Sequence, residues 1–239
     1  MNRLVCLLFA ISLTGFAAAK EKRISVFVGL CDNATQGIAK VGAKVGDGNV
    51  PEENLYWGCT DGFKDVFKKS KSWKLVKDET ATGDERILER MTFHHVTQDA
   101  VLVAEAWRGS KLADCLKATE SSAVAGGSDL VAFIGHNVLM DGDIDPPATQ
   151  ANGNTAMMVL CCKSDQYFRI RQRNVGLKPA LYTADYMYPG GFILSAALEP
   201  WLEGKSAEEV RSAAGAAYAK NQKIKVSAGT GVFAKLPLE

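Results

Sequence analysis

Two side chains in this sequence stand where they could do covalent chemistry together. VAFIGHN (131–137) ends an apolar run on His136, and TAMMVLCCKS (155–164) ends another on Cys161 and Cys162. A thiolate attacks carbonyl carbon, and an imidazole within reach takes the thiol proton or stabilises the thiolate. The chain holds only three histidines. His94 and His95 fall together on RILERMTFHHV (86–96), whose alternation reads as solvated strand surface. His136, at a strand-to-loop junction, is therefore the candidate base.

The adjacent cysteines separate by geometry. Neighbours on a strand project to opposite faces, so Cys161 reads as core filling and Cys162 as the last strand residue. The same divergence weakens a soft-metal or thiol-redox site built from both cysteines with Met157 and Met158. C-x-x-C is absent and the histidines are not at ligand spacing, so a structural zinc site is not expected. G-x-S-x-G, G-x-x-x-x-G-K-[ST] and G-x-G-x-x-G are also missing, which disfavours a serine hydrolase or a phosphate-binding loop.

The elements that must position these residues alternate in type. RISVFVGLC (23–31), AVLVAEAW (100–107), SDLVAFIG (128–135) and TAMMVLCC (155–162) read as apolar strands, with PALYTADY (179–186) as a further one. Helices are expected over LYWGCTDGFKDVFKK, over SKLADCLKATESSA (110–123) with Ser110 as N-cap, and over PGGFILSAALEPWL. A further helix, 206–222, opens on a capping box of Ser206 and Glu209. KKSKSWK (68–74) reads as a solvated helix end, and AAGAAYAK (213–220) as small-residue helix packing. Near-continuous apolar strands between helices predict an α/β fold, a three-layer α/β/α sandwich around a mostly parallel sheet. Sites in such sheets form at the carboxyl ends of the strands, where His136 and Cys162 fall. DGDIDPP (141–147) spaces three aspartates two apart but lacks the glycine and glutamate of a calcium loop; it reads as a polar activation or substrate loop.

The first nineteen residues differ from the rest. An early Arg3, an apolar run and Ala17–Ala19 predict a leader over 1–19, cleaved near Ala19, and a single domain over 20–239. The chain would then be exported, periplasmic or secreted, without stable membrane insertion. Beyond the leader remain Cys31, Cys59, Cys115, Cys161 and Cys162. That number is odd, so an oxidising compartment could pair four and leave one reactive thiol. Without Arg3 the chain carries 27 basic and 27 acidic side chains, and this balance gives no electrostatic case for a nucleic-acid partner. Nothing in the sequence sets an oligomeric state.

A hydrophobic strand ending in His, followed by one ending in a small residue and Cys, resembles the caspase-like cysteine peptidases. VAFIGHN matches the histidine strand and MMVLCCKSDQYF the cysteine strand, within a similarity of element order over roughly 100–200. The resemblance implies a peptide or protein substrate and no metal or organic cofactor, with Cys162 as nucleophile and His136 as the group that protonates the leaving amine. Backbone N–H groups at Asn137 and Cys162 would bind the oxyanion. The family usually has Gly after the histidine, where this chain has Asn137. That departure and an oxidising setting leave open the alternative of a catalytically inactive binding domain on the same fold, in the periplasm or outside the cell, its cysteines consumed by disulfides. The resemblance also puts the specificity pocket near Asp32, Tyr182, Asp185 and Tyr188. An acidic floor there would favour Arg or Lys before the cut bond. Asp32 in an Asx turn and Asp185 capping a turn is the competing use of those carboxylates.

Overall fold

Residues 20–36 and 40–236 are described by the computed structural model, so the expected leader lies outside the described residues. Seven strands, β1 (Lys22–Gly29), β2 (Trp73–Glu79), β3 (Ile87–His95), β4 (Ala100–Trp107), β5 (Leu130–Ile134), β6 (Ala156–Leu160) and β7 (Lys178–Tyr182), build one sheet. Their order is β2-β3-β4-β1-β5-β6-β7. The strands from β4 through β7 pair in parallel, and β2 and β3 add an antiparallel extension.

Alternation along the strands sorts side chains into two cores. Val26, Val28, Leu102, Ala104, Ala132, Ile134, Met158 and Leu160 face one helical layer. That layer is α1 (Phe63–Lys68), α4 (Gly191–Leu202) and α5 (Ala207–Gln222), with α6 (Val226–Gly231) packed on α5. Phe27, Val131, Phe133, Met157, Val159 and Cys161 face the other, formed by α2 (Leu112–Ala125) and α3 (Ser164–Arg173). The chain is therefore an α/β sandwich of three layers, as the alternating elements predict.

Several elements differ from expectation for local reasons. Only Phe63–Lys68 of the first expected helix is helical, because Asn54 accepts the N–H groups of Cys31 and Tyr56 and holds the preceding residues in turns. KKSKSWK ends in β2, whose Trp73 is buried, instead of continuing as a helix end. Helix α2 starts at Leu112 after a short 3-10 turn, so Ser110 is not its cap. The capping box forms: Ser206 accepts the Glu209 N–H, and the Glu209 carboxylate accepts the Ser206 N–H. The small residues of α5 admit α6, since a Cβ at Gly215 would stand 2.4 Å from the Thr230 Cα. Strand β3 is flanked on both sides, not exposed, and Met91 and Phe93 are fully buried. Of its two histidines only His94 is solvated; the His95 ring packs edge-on to Trp73 at 4.9 Å.

Candidate functional site

Ile134 of β5 pairs with Leu160 of β6, and the Gly135 N–H still reaches the Leu160 carbonyl at 3.3 Å. His136 and Cys162 follow two residues beyond that last pair, at the carboxyl edge of neighbouring strands about 4.8 Å apart. Leu130, Ala132 and Ile134 face the layer of α1, α4 and α5, as do Met158 and Leu160. Cys162 lies on that side too, its Sγ beside Met187, and His136 holds the corresponding place two residues after Ile134.

Cys161 goes the other way. It is fully buried against α2 and α3, and burial pushes its thiol well above the ordinary cysteine range. The Cys162 thiol is partly exposed. Its Sγ lies 3.5 Å from both the carbonyl oxygen and the N–H nitrogen of Met187. Tyr56 lies on the same side of the sheet, and burial above all, then the charge of Cys31, pushes its phenol upward. All five described cysteines are unpaired thiols. Met157 shares the face of Cys161 and Met158 the opposite one, so the four sulfur side chains do not converge.

The backbone around Cys162 is held from several directions. Lys163 is left-handed, with φ of 52°, and turns the chain from β6 into α3. A non-glycine residue there costs about 1–3 kcal/mol and persists only where its surroundings enforce it. Here the Lys163 N–H donates to the Asp185 carbonyl, and the Ser164 and Asp165 N–H groups donate to Thr183. The Ser164 hydroxyl donates to the Val159 carbonyl, and the Thr183 hydroxyl to the Cys161 carbonyl. The first N–H groups of α3 are thus occupied. Those of Asn137 and Cys162 donate to no acceptor among the described residues.

His136 is buried, and its Nε2 lies 2.7 Å from Oδ2 of Asp141. Nδ1 makes no hydrogen bond among the described residues, and no bond joins the imidazole to the Cys162 thiol. Asn137 is fully buried. Its Nδ2 donates to the Cys162 carbonyl at 2.7 Å, and its Oδ1 accepts the Leu139 N–H at 3.2 Å.

The expected pocket residues fare differently. Tyr182 is fully buried on the opposite face under α3, and its hydroxyl donates to Gln172 Oε1, so it cannot meet a substrate beside Cys162. A register shift between Met157 and Met158 in the pairing of β6 with β7 turns Tyr182 to that face. Asp32 follows the end of β1, and its Oδ1 accepts the Ala34 N–H at 2.8 Å in an Asx turn. Asp185 is exposed next to the cysteine turn, and its Oδ1 accepts the Tyr186 N–H at 2.7 Å. Both carboxylates serve turns, which is the competing use. Tyr188 lies on the thiol side, its hydroxyl donating to the Leu55 carbonyl.

Asp141 was not among the sequence candidates. Its signal was the first aspartate of DGDIDPP, five residues beyond the histidine. A cavity of about 610 Å³ lies on the far side of that loop, between it and α3, lined by Leu139, Ile144, Pro146, Tyr167 and Arg171 but by neither His136 nor Cys162. Comparisons of the chain with protein-family models, curated proteins and solved structures returned no match.

Proposed function

We propose that this chain is a cysteine-dependent hydrolase, an endopeptidase of the caspase-like kind, with Cys162 as nucleophile and His136 as acid and base. One observation carries the reading: His136 and Cys162 each stand two residues beyond the last paired rung of adjacent parallel strands, and Asn137, next to the histidine, is bonded to the Cys162 carbonyl. The free N–H groups of Asn137 and Cys162 supply donors for an oxyanion, which is a large contribution to acyl transfer.

The imidazole takes the Cys162 proton, and the thiolate adds to the scissile carbonyl carbon. The C–N bond then breaks as the imidazolium returns that proton to the leaving amine, which leaves a thioester on Cys162. Water, deprotonated by the imidazole, adds to the thioester carbonyl. The acid is released and the thiol is regenerated. No hydrogen bond joins the thiol to the imidazole in the free protein, so the proton transfer belongs to the complex with substrate, where such contacts tighten. The apolar leader and its Ala17–Ala19 end support action outside the cytoplasm.

The test is cleavage of a mixed fluorogenic peptide library by the chain beginning at Lys20. Activity lost in both Cys162→Ala and His136→Ala, with retained thermal unfolding, is the expected result. Unchanged cleavage in Cys162→Ala overturns the reading.

A further inference from the structure

We propose that Asp141 is the positioning residue that fixes the ring of His136 and holds its proton on Nε2, leaving Nδ1 to exchange protons at Cys162. This inference rests on the cysteine-hydrolase reading and assigns it a third side chain. The Nε2–Oδ2 distance of 2.7 Å is that of a charge-assisted hydrogen bond. A carboxylate only accepts, so Nε2 must carry the hydrogen, and the tautomer of the neutral ring follows.

The loop between the two strands is built to deliver that carboxylate. After His136 the chain makes a 3-10 turn over Val138–Met140, with Asn137 as its N-cap. The Met140 N–H donates to the Asn137 carbonyl and the Asp141 N–H to the Val138 carbonyl, which curls Asp141 back onto the ring. Beyond Asp141 the loop is tied down again. Arg171 of α3 donates to the carbonyls of Ile144 and Asp145 while its other N–H groups grip both oxygens of buried Glu120. The segment from His136 to Asp145 is therefore anchored at both ends by hydrogen bonds that Asp141 itself does not make. Its side chain is 38% exposed and, among the described residues, bonds to His136. A surface carboxylate so placed adds little to the core.

When the thiol proton moves to Nδ1, the imidazolium keeps its Nε2 proton on Asp141, and the same Nδ1 proton goes on to the leaving amine. Without the carboxylate the ring can rotate, or carry its proton on the wrong nitrogen, and each proton transfer suffers.

The experiment uses p-nitrophenyl acetate as an acyl donor, because its leaving group needs no proton. Wild type, Asp141→Ala and Asp141→Asn are each expected to release a burst of one nitrophenolate per chain, absent in Cys162→Ala. Steady-state turnover, limited by histidine-assisted deacylation, is expected to fall at least about tenfold in both Asp141 variants and in His136→Ala. The side-chain ¹⁵N resonances of His136 are expected to show a protonated Nε2 in neutral wild type and a redistributed proton in Asp141→Asn. Turnover and ¹⁵N pattern unchanged in the Asp141 variants, while His136→Ala is slow, overturn the positioning role and leave the dyad standing. Absence of a Cys162-dependent burst in wild type overturns the hydrolase reading instead. The ¹⁵N comparison then decides the Asp141–His136 bond by itself.

Discussion

The side chain of Asn137 donates to the carbonyl oxygen of Cys162 at 2.7 Å, so the residue after the histidine is bonded directly to the cysteine. That bond ties the open ends of β5 and β6 together where the ladder has stopped. Asn137 has φ of −80°, a conformation that needs no glycine, and its Cβ is accommodated in the buried site. Glycine in this place would provide the N–H but not the tie.

Asn137→Gly is expected to keep the fold and lose about 1–3 kcal/mol of stability, the cost of leaving buried polar partners unpaired. Asn137→Asp should be worse. One carboxylate oxygen can still accept the Leu139 N–H, but the other then faces the Cys162 carbonyl, acceptor against acceptor. Chemical denaturation of the three proteins gives the order directly. Asn137→Asp as stable as wild type would remove the strand-tying role.

The two cysteines should differ in reactivity by position alone. Cys161 is fully buried with its thiol pushed up, and Cys115 shares both properties, whereas Cys162 is partly exposed. Brief iodoacetamide treatment at neutral pH followed by peptide mapping should label Cys162 and spare Cys161 and Cys115 in the folded protein. Denaturant should make all three react. Labelling of Cys161 ahead of Cys162 would mean that the end of β6 is turned over.

Much of this was legible in one sequence because period and burial agree. Continuous apolar runs at 100–107, 128–135 and 155–162 demanded strands covered on both faces, and the ends of two of them named His136 and Cys162. Helix α3 was missed because SDQYFRIRQR has only three apolar residues, and what fixes its start is the Ser164–Thr183 exchange of hydrogen bonds across nineteen residues. Tyr182 was misplaced by the register shift between β6 and β7, which flips side chains to the other face without any local signal. Asp141 was visible as an acidic loop residue, yet its orientation depends on the turn after His136 and on Arg171, thirty residues further on.

Arg171 and Glu120 form a buried pair with side-chain exposures of 10% and 2%. Removing one partner strands the other charge, so Arg171→Met or Glu120→Met alone should cost about 3–5 kcal/mol. The double variant should recover part of that loss, although the carbonyls of Ile144 and Asp145 then lack their donor. A double-mutant cycle by urea unfolding measures the coupling, and additive losses would show that the two groups do not act as a pair.

Glu89 supplies a prediction about pH. Its carboxylate is almost wholly buried on β3, accepting from Trp57 Nε1 and Lys64 Nζ at 2.6 Å each. Burial raises its carboxyl above the ordinary value of about 4.3, and the hydrogen bonds from Lys64 and Trp57 only partly oppose the rise. The folded chain therefore binds this proton more tightly than the unfolded chain does. Stability from protonated Glu89 is fully present below the unfolded-state value and declines as pH climbs through the folded-state value, because there the unfolded state binds fewer protons. Glu89→Gln cannot titrate. The stability of wild type relative to Glu89→Gln should fall across that acidic window and be level on either side, as read from urea midpoints at a series of pH values. Lys64→Met removes a group that opposes the rise, so in that background the fall should extend to higher pH. A relative stability that instead increases through the window would mean that Lys64 and Trp57 outweigh burial at this carboxylate.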